Sequence, residues 1–156
     1  MKINQTQRIV LLSILTALTV VLGYIHVPTL TGFITLLDVG IFFTAFYLGA
    51  KEGAIVGGLS GLLLDLLLGY PQWAFFSLLF HGLQGYAAGW SGKGRILGLF
   101  LASIAMVGGY FIASVFLYNA ASALDGLAGN LIQNAVGIIL GSILAAAMTK
   151  VRKVAA

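Results

Sequence analysis

Successive apolar runs of about 17 to 23 residues, each cut off by a short polar or glycine-rich break, leave this chain few ways to fold. Wound as an α-helix at 1.5 Å per residue, a run of that length crosses an ~30 Å hydrocarbon core. A membrane β-barrel would instead alternate polar and apolar residues over segments of about 10, and no such segment occurs. Composition agrees: 60% of the 156 residues are hydrophobic and 8% are charged, against about 25% charged in soluble domains. Mean hydropathy is +1.07. A soluble chain of this size could not bury so much apolar surface. The first run reaches spanning length without a small-x-small cleavage site, so it reads as a helix rather than a signal peptide.

The runs predict an all-α membrane protein, a compact bundle of six transmembrane helices forming one domain over residues 1–156. Helix 1 is expected over 8–25, closed by His26-Val27-Pro28. Helix 2 is expected over 33–49, helix 3 over 53–69, helix 4 over 73–90, helix 5 over 96–118 and helix 6 over 127–149. Pro71 marks the break before helix 4, residues 91–95 form a polar turn, and 119–126 read as a small-residue loop. With six spans, Lys2, Arg8, Lys51, Lys93, Arg95, Lys150, Arg152 and Lys153 all fall on one side, and no Lys or Arg falls on the other. The positive-inside rule makes that side cytoplasmic and places both termini there, in a multi-pass protein of the cell membrane.

Glycine is the second pattern. Gly53, Gly57 and Gly61 make a ridge on helix 3, Gly85-x-x-x-Gly89 one on helix 4, and Gly137-x-x-x-Gly141 one on helix 6. Small residues let helices in lipid approach closely, and internal packing is their ordinary use.

Intramembrane polar residues are more informative, because each costs about 1–3 kcal/mol or more to bury unpaired. They cluster in the outer half. Helix 4 carries Gln72, Trp73, Ser77, His81 and Gln84, with His81 and Gln84 on one face. Helix 6 carries Asn130, Gln133 and Asn134, three amides in five residues. Helix 5 ends with Ser114, Tyr118 and Asn119. Aromatics that stack and amides that read an edge suit a pocket for a small, flat, polar ring. The expected binding residues are Trp73, Phe76, His81, Gln84, Tyr118, Asn130, Gln133 and Asn134. The competing use of these residues is interfacial anchoring by Trp73 and the tyrosines, with the amides gluing helices together. Asp38 and Asp65 lie near the outer ends of helices 2 and 3 without a basic partner in the membrane, and read as structural.

Gly58-Leu59-Ser60-Gly61 matches the G-x-S-G of rhomboid intramembrane proteases. A serine nucleophile needs a histidine base, and helices 5 and 6 contain no histidine. The chain has no cysteine for a disulfide, a thiolate metal site or a nucleophile, and no Gly-rich P-loop ending in Gly-Lys-Ser/Thr. No catalytic residue, metal or cofactor is expected.

Residues 35–40 (TLLDVG), 47–57 (YLGAKEGAIVG) and 64–67 (LDLL) together resemble the S components of energy-coupling factor (ECF) vitamin transporters. In that family an acidic residue opens helix 2, a leucine-glycine-proline-lysine-x-glycine-alanine turn leads into a glycine-rich helix 3, and Asp closes it. Ala50 stands here where proline is usual. The resemblance implies a six-helix subunit that captures a vitamin or its precursor on the outer side, between the outer loops and helices 4 to 6. It also implies partners: a transmembrane coupling protein (the T component) and two cytoplasmic ATPases. The family's helix 1 docks on the coupling protein through a small-x-x-x-small motif, which Ser13-x-x-x-Ala17 matches. The absence of Lys or Arg from the outer side disfavours strongly anionic cargo. The site residues favour a neutral or weakly basic heteroaromatic, the hydroxymethylpyrimidine thiamine precursor or a B6 vitamer such as pyridoxine, over thiamine or riboflavin. A membrane scaffold with no ligand is the reading of a different class.

Overall fold

In the computed structural model, which describes residues 4–29 and 33–154, the first apolar run forms helix α1 (Gln5–Gly23). Asn4 starts it with a reciprocal cap. Its Oδ1 accepts from Gln7 N at 2.8 Å, and Gln7 Oε1 accepts from Asn4 N at 2.9 Å. Then come α2 (Leu37–Leu48), α3 (Ala50–Leu68) and α4 (Pro71–Ala88), the last with proline in its first turn, where a missing N–H costs nothing. A short 3₁₀ turn, Gly92–Gly94, leads into α5 (Arg95–Ser103), a π-helical turn (Ile104–Gly108) and α6 (Gly109–Leu117), which form one continuous rod. Helix α7 (Ala120–Val154) closes the chain. The described helices therefore make six rods. Three segments are long and apolar enough to cross a membrane: α1, the rod Gly92–Leu117, and α7.

The structure departs from the sequence expectation in several places, and α3 already includes residues 51–52, ahead of its expected start. Residues 33–35 do not open a helix. His26–Pro28 (β1) and Phe33–Thr35 (β2) pair antiparallel, with His26 opposite Thr35 and Pro28 opposite Phe33. β-Branched and aromatic side chains at Val27, Phe33, Ile34 and Thr35 favour the extended chain. Helix α2 starts two residues later, where Thr35 Oγ1 accepts from Leu37 N at 2.9 Å. Another departure is residues 119–126, which are helical rather than a loop. Asn119 Oδ1 accepts from Ser122 N at 2.9 Å, and the Ala-rich stretch after it continues straight into α7. At its far end α7 also runs past residue 149, to Val154. Lys2 lies outside the described residues.

Helix α2 is buried on nearly every side, packed among α1, α3, α4 and α7. Small residues permit this. A Cβ on Gly141 would lie 2.7 Å from Phe42 Cβ, and one on Gly137 2.5 Å from Asp38 Cβ. Between α3 and α4, Gly57 faces the His81 carbonyl oxygen and Gly85 faces that of Gly53, closer than any side chain allows. The glycine ridges thus serve internal packing, as read from their spacing. Outward faces are apolar, as lipid requires: Ile14, Leu18 and Val21 on α1, and Ile132, Ile139 and Ile143 on α7 are exposed.

The basic residues gather at one end of the bundle. Arg8 pairs with Glu52, the Arg95 guanidinium lies 4.6 Å from the centre of the Phe46 ring, and Gly89 packs on Ala50. The β-hairpin lies at the opposite end, between the close of α1 and the start of α2.

Candidate functional site

Beneath the hairpin is a cavity of about 70 Å³. The hairpin region, Leu37 at the start of α2, and four further rods wall it. The hairpin region contributes Thr29, Phe33, Ile34 and Thr35. Helix α3 contributes Gly61, Leu64 and Asp65, and α4 contributes Trp73, Ser77 and His81. Met106, Tyr110 and Ser114 come from the π turn and α6, and Gly126, Asn130 and Gln133 from α7. None of these residues is Lys or Arg.

Local structure explains the placements. Ser77 and His81 are four apart on α4, as are Met106, Tyr110 and Ser114 along the next rod, so each set faces one way. The π turn offsets the drift that four-residue spacing accumulates on an α-helix, and such turns recur at functional sites. Gly61 makes room beside the ring of His81, where a Cβ would lie 2.7 Å from Cδ2. The aromatic wall is continuous: Tyr110 lies 5.5 Å from Trp73 and 5.5 Å from His81 between ring centres. Its hydroxyl shares a short hydrogen bond with Ser77 Oγ.

A fully buried polar network forms the floor. Asp38, in the first turn of α2, accepts from Gln84 Nε2 at 2.7 Å on Oδ2 and from Gln133 Nε2 at 2.9 Å on Oδ1. Gln84 also bonds His81 Nδ1 at 2.9 Å and donates to Asn134 Oδ1 at 3.1 Å. Asn134 Nδ2 donates to Ser103 Oγ at 2.8 Å. Gln133 Oε1 accepts from Thr35 N at 2.6 Å, tying the hairpin to α7. His81 Nδ1 stands 3.8 Å from Asp38 Oδ1.

The eight expected binding residues therefore fall into groups. Trp73, His81, Asn130 and Gln133 line the cavity. Gln84 and Asn134 lie under it and hold the floor together. Phe76 stands behind Trp73, 6.2 Å away between ring centres, and Tyr118 accepts from Trp73 Nε1 at 3.3 Å. Sequence reasoning passed over Tyr110 and Met106, whose four-residue spacing with Ser114 was the available signal. It gave Asp65 a structural part, although Asp65 lines the cavity. Ser13 and Ala17 lie on an exposed face of α1, away from the cavity. Ser60 donates to Gly57 O at 3.2 Å within its own helix, and His81 Nδ1 is paired with Gln84, so the G-x-S-G match forms no serine–histidine pair.

Comparison with known proteins agrees with this architecture. The family model for the ECF-type riboflavin transporter S component matches residues 3–150. The thiamine precursor transporter HmpT of Lactococcus lactis subsp. cremoris (strain MG1363) is 43% identical over 142 residues, 88% of this chain and 85% of that one. An uncharacterised protein of Pyrococcus woesei, from the gap 3′ region, is 33% identical over 129 residues, 79% of this chain and 86% of that one. Among solved structures, the S component of a bacterial ECF transporter superposes with a TM-score of 0.77 at 26% identity, covering 96% of this chain and 99% of that one.

Proposed function

This chain belongs to the S-component family of ECF transporters, and on that premise we propose that its cavity captures the hydroxymethylpyrimidine precursor of thiamine for uptake into the cell. One observation supports this above the others. Trp73, Tyr110 and His81 wall the cavity with aromatic faces that suit a single substituted six-membered ring, while Asn130 offers an amide. HmpT, named as a thiamine precursor transporter, points the same way. Pyridoxine, also a single substituted ring, is the second cargo that this lining admits.

The six rods would all span the plasma membrane. The basic end, with both termini, faces the cytoplasm by the positive-inside rule, so the hairpin and cavity open outward. Reporter fusions at the two termini should both read cytoplasmic, and a split result would remove the outward-facing cavity. The chain performs no catalysis in this scheme. Lacking a P-loop, it relies on a coupling protein and two ATPases for power.

Calorimetry on the purified protein tests the cargo. Hydroxymethylpyrimidine should bind, and its phosphate ester should bind far more weakly, because the lining holds no Lys or Arg to meet a phosphate. Asn130→Ala should weaken binding about ten- to hundredfold with the fold intact, the usual consequence of one lost hydrogen bond to a buried group. Tighter binding of riboflavin than of the pyrimidine would sink the proposal.

A further inference from the structure

Two carboxylates are buried at the cavity end of the bundle, and the protein treats them differently. Asp38 is 0% exposed, and each of its oxygens accepts a hydrogen bond from a glutamine amide. Asp65, on the last turn of α3, is 5% exposed, and its Oδ2 has no hydrogen-bond partner among the described residues. Thr16 Oγ1 is also buried without a partner, but Thr16 lies on α1 and does not line the cavity, whereas Asp65 does. A buried acceptor left unpaired is costly, and a carboxylate oxygen more so than a hydroxyl.

The neighbouring groups meet that need only in part: Ser77 interacts with the Asp65 carboxyl, and Oδ2 stays unpaired. Ser77 shares its hydroxyl hydrogen bond with Tyr110, and His81 Nδ1 is paired with Gln84. The lining supplies no Lys or Arg. What Oδ2 lacks is a donor, and Asp65 lines the space where a ring would sit. A neutral hydroxyl would supply one hydrogen bond. An amino group beside a ring nitrogen supplies more, because that nitrogen can hold a proton. The pair then presents two parallel N–H groups and a positive charge to one carboxylate, and charge-assisted paired hydrogen bonds are about twice as strong as neutral ones.

We propose that Asp65 is the residue that determines specificity, selecting ring ligands with an amino group adjacent to a ring nitrogen, as in an aminopyrimidine, over rings of equal size bearing only hydroxyl or methyl groups. This rests on the ring-capture reading above and adds the chemical group that is read. Asn130, on α7, would meet the opposite edge of the ring.

The primary test needs no variant. Calorimetry on the wild-type protein compares 4-amino-5-hydroxymethyl-2-methylpyrimidine with the same ring lacking its amino group. The amino compound should bind about ten- to hundredfold more tightly, the range for one charge-assisted hydrogen bond. Asp65→Asn, checked for folding by thermal shift, should weaken the amino compound by a similar factor and leave the deamino compound nearly unchanged. Equal wild-type affinities for the two rings would overturn the role of Asp65 while leaving ring capture standing. So would a folded Asp65→Asn variant that keeps the full preference. If neither ring binds, ring capture itself fails, and the pairing with it. If Asp65→Asn does not fold, the wild-type comparison decides alone.

Discussion

Gln84→Met should destabilise the protein by about 3 kcal/mol or more, although it keeps the side-chain volume and replaces an amide with an apolar group inside a membrane protein. Gln84 is fully buried and touches three polar partners at once: Asp38 Oδ2, His81 Nδ1 and Asn134 Oδ1. Methionine satisfies none of them, and each buried polar group left unpaired costs about 1–3 kcal/mol, more when charged. Asp38 keeps its bond from Gln133 Nε2, so the carboxylate is not wholly abandoned. Thermal unfolding in detergent would measure the loss, with Gln84→Ala alongside. If hydrogen bonding dominates, the two variants should be similarly unstable. A large rescue by methionine would mean that filled volume matters more than the network. Binding should fall with stability in both, which separates Gln84 from Asn130, whose alanine variant should lose affinity alone.

Ala17→Trp should abolish assembly with a coupling protein and stop uptake in cells, while leaving ligand binding to the isolated protein nearly unchanged. Ser13 and Ala17 are four apart on α1, and both are exposed, so their shared face is not used by the chain's own helices. Two backbones in lipid come close only where side chains are small, and an indole there would hold them apart. The cavity draws no residue from α1, so binding should survive. Co-purification and uptake assays paired with calorimetry on the same variant make the test. Normal assembly and uptake would remove α1 from the docking surface. Lost binding in a folded variant would mean that α1 supports the cavity from a distance.

Much of the architecture was legible in the chain because lipid imposes a simple rule. Backbone polar groups must be satisfied within the helix, so apolar length and its interruptions reveal the rods. Gly57 and Gly85 could be read as contact points because little else explains glycine at four-residue spacing in a helix. The hairpin was less visible. Three residues per strand give too short a pattern to set against the long apolar runs on either side, and its tie to α7, from Thr35 N to Gln133 Oε1, spans residues far apart in sequence. The helical start of α7 was hidden for a different reason. Asp125 and Gly126 resemble a turn, yet Asn119 caps the helix ahead of them.

The site divides along the same line. Residue types alone established that polar groups gather toward one end and that no Lys or Arg accompanies them. Which of those groups face a ligand and which face each other depends on where the helices cross, and one sequence does not specify crossings. Gln84, Gln133 and Asn134 resemble Asn130 in every local respect, but the packing of α2 against α4 and α7 turns the first three onto Asp38, Thr35, Ser103 and one another. Asp38 and Asp65 are alike by the same measure. Two glutamines reach Asp38 because α2 is buried at the centre of the bundle, whereas Asp65 ends α3 at the cavity wall with one oxygen unmatched. Composition and period determined the solvent, the rods and the polar end. Only the tertiary structure decided which polar atoms were consumed by folding and which were left unpaired, because satisfaction of a buried donor or acceptor is a property of its neighbours in space.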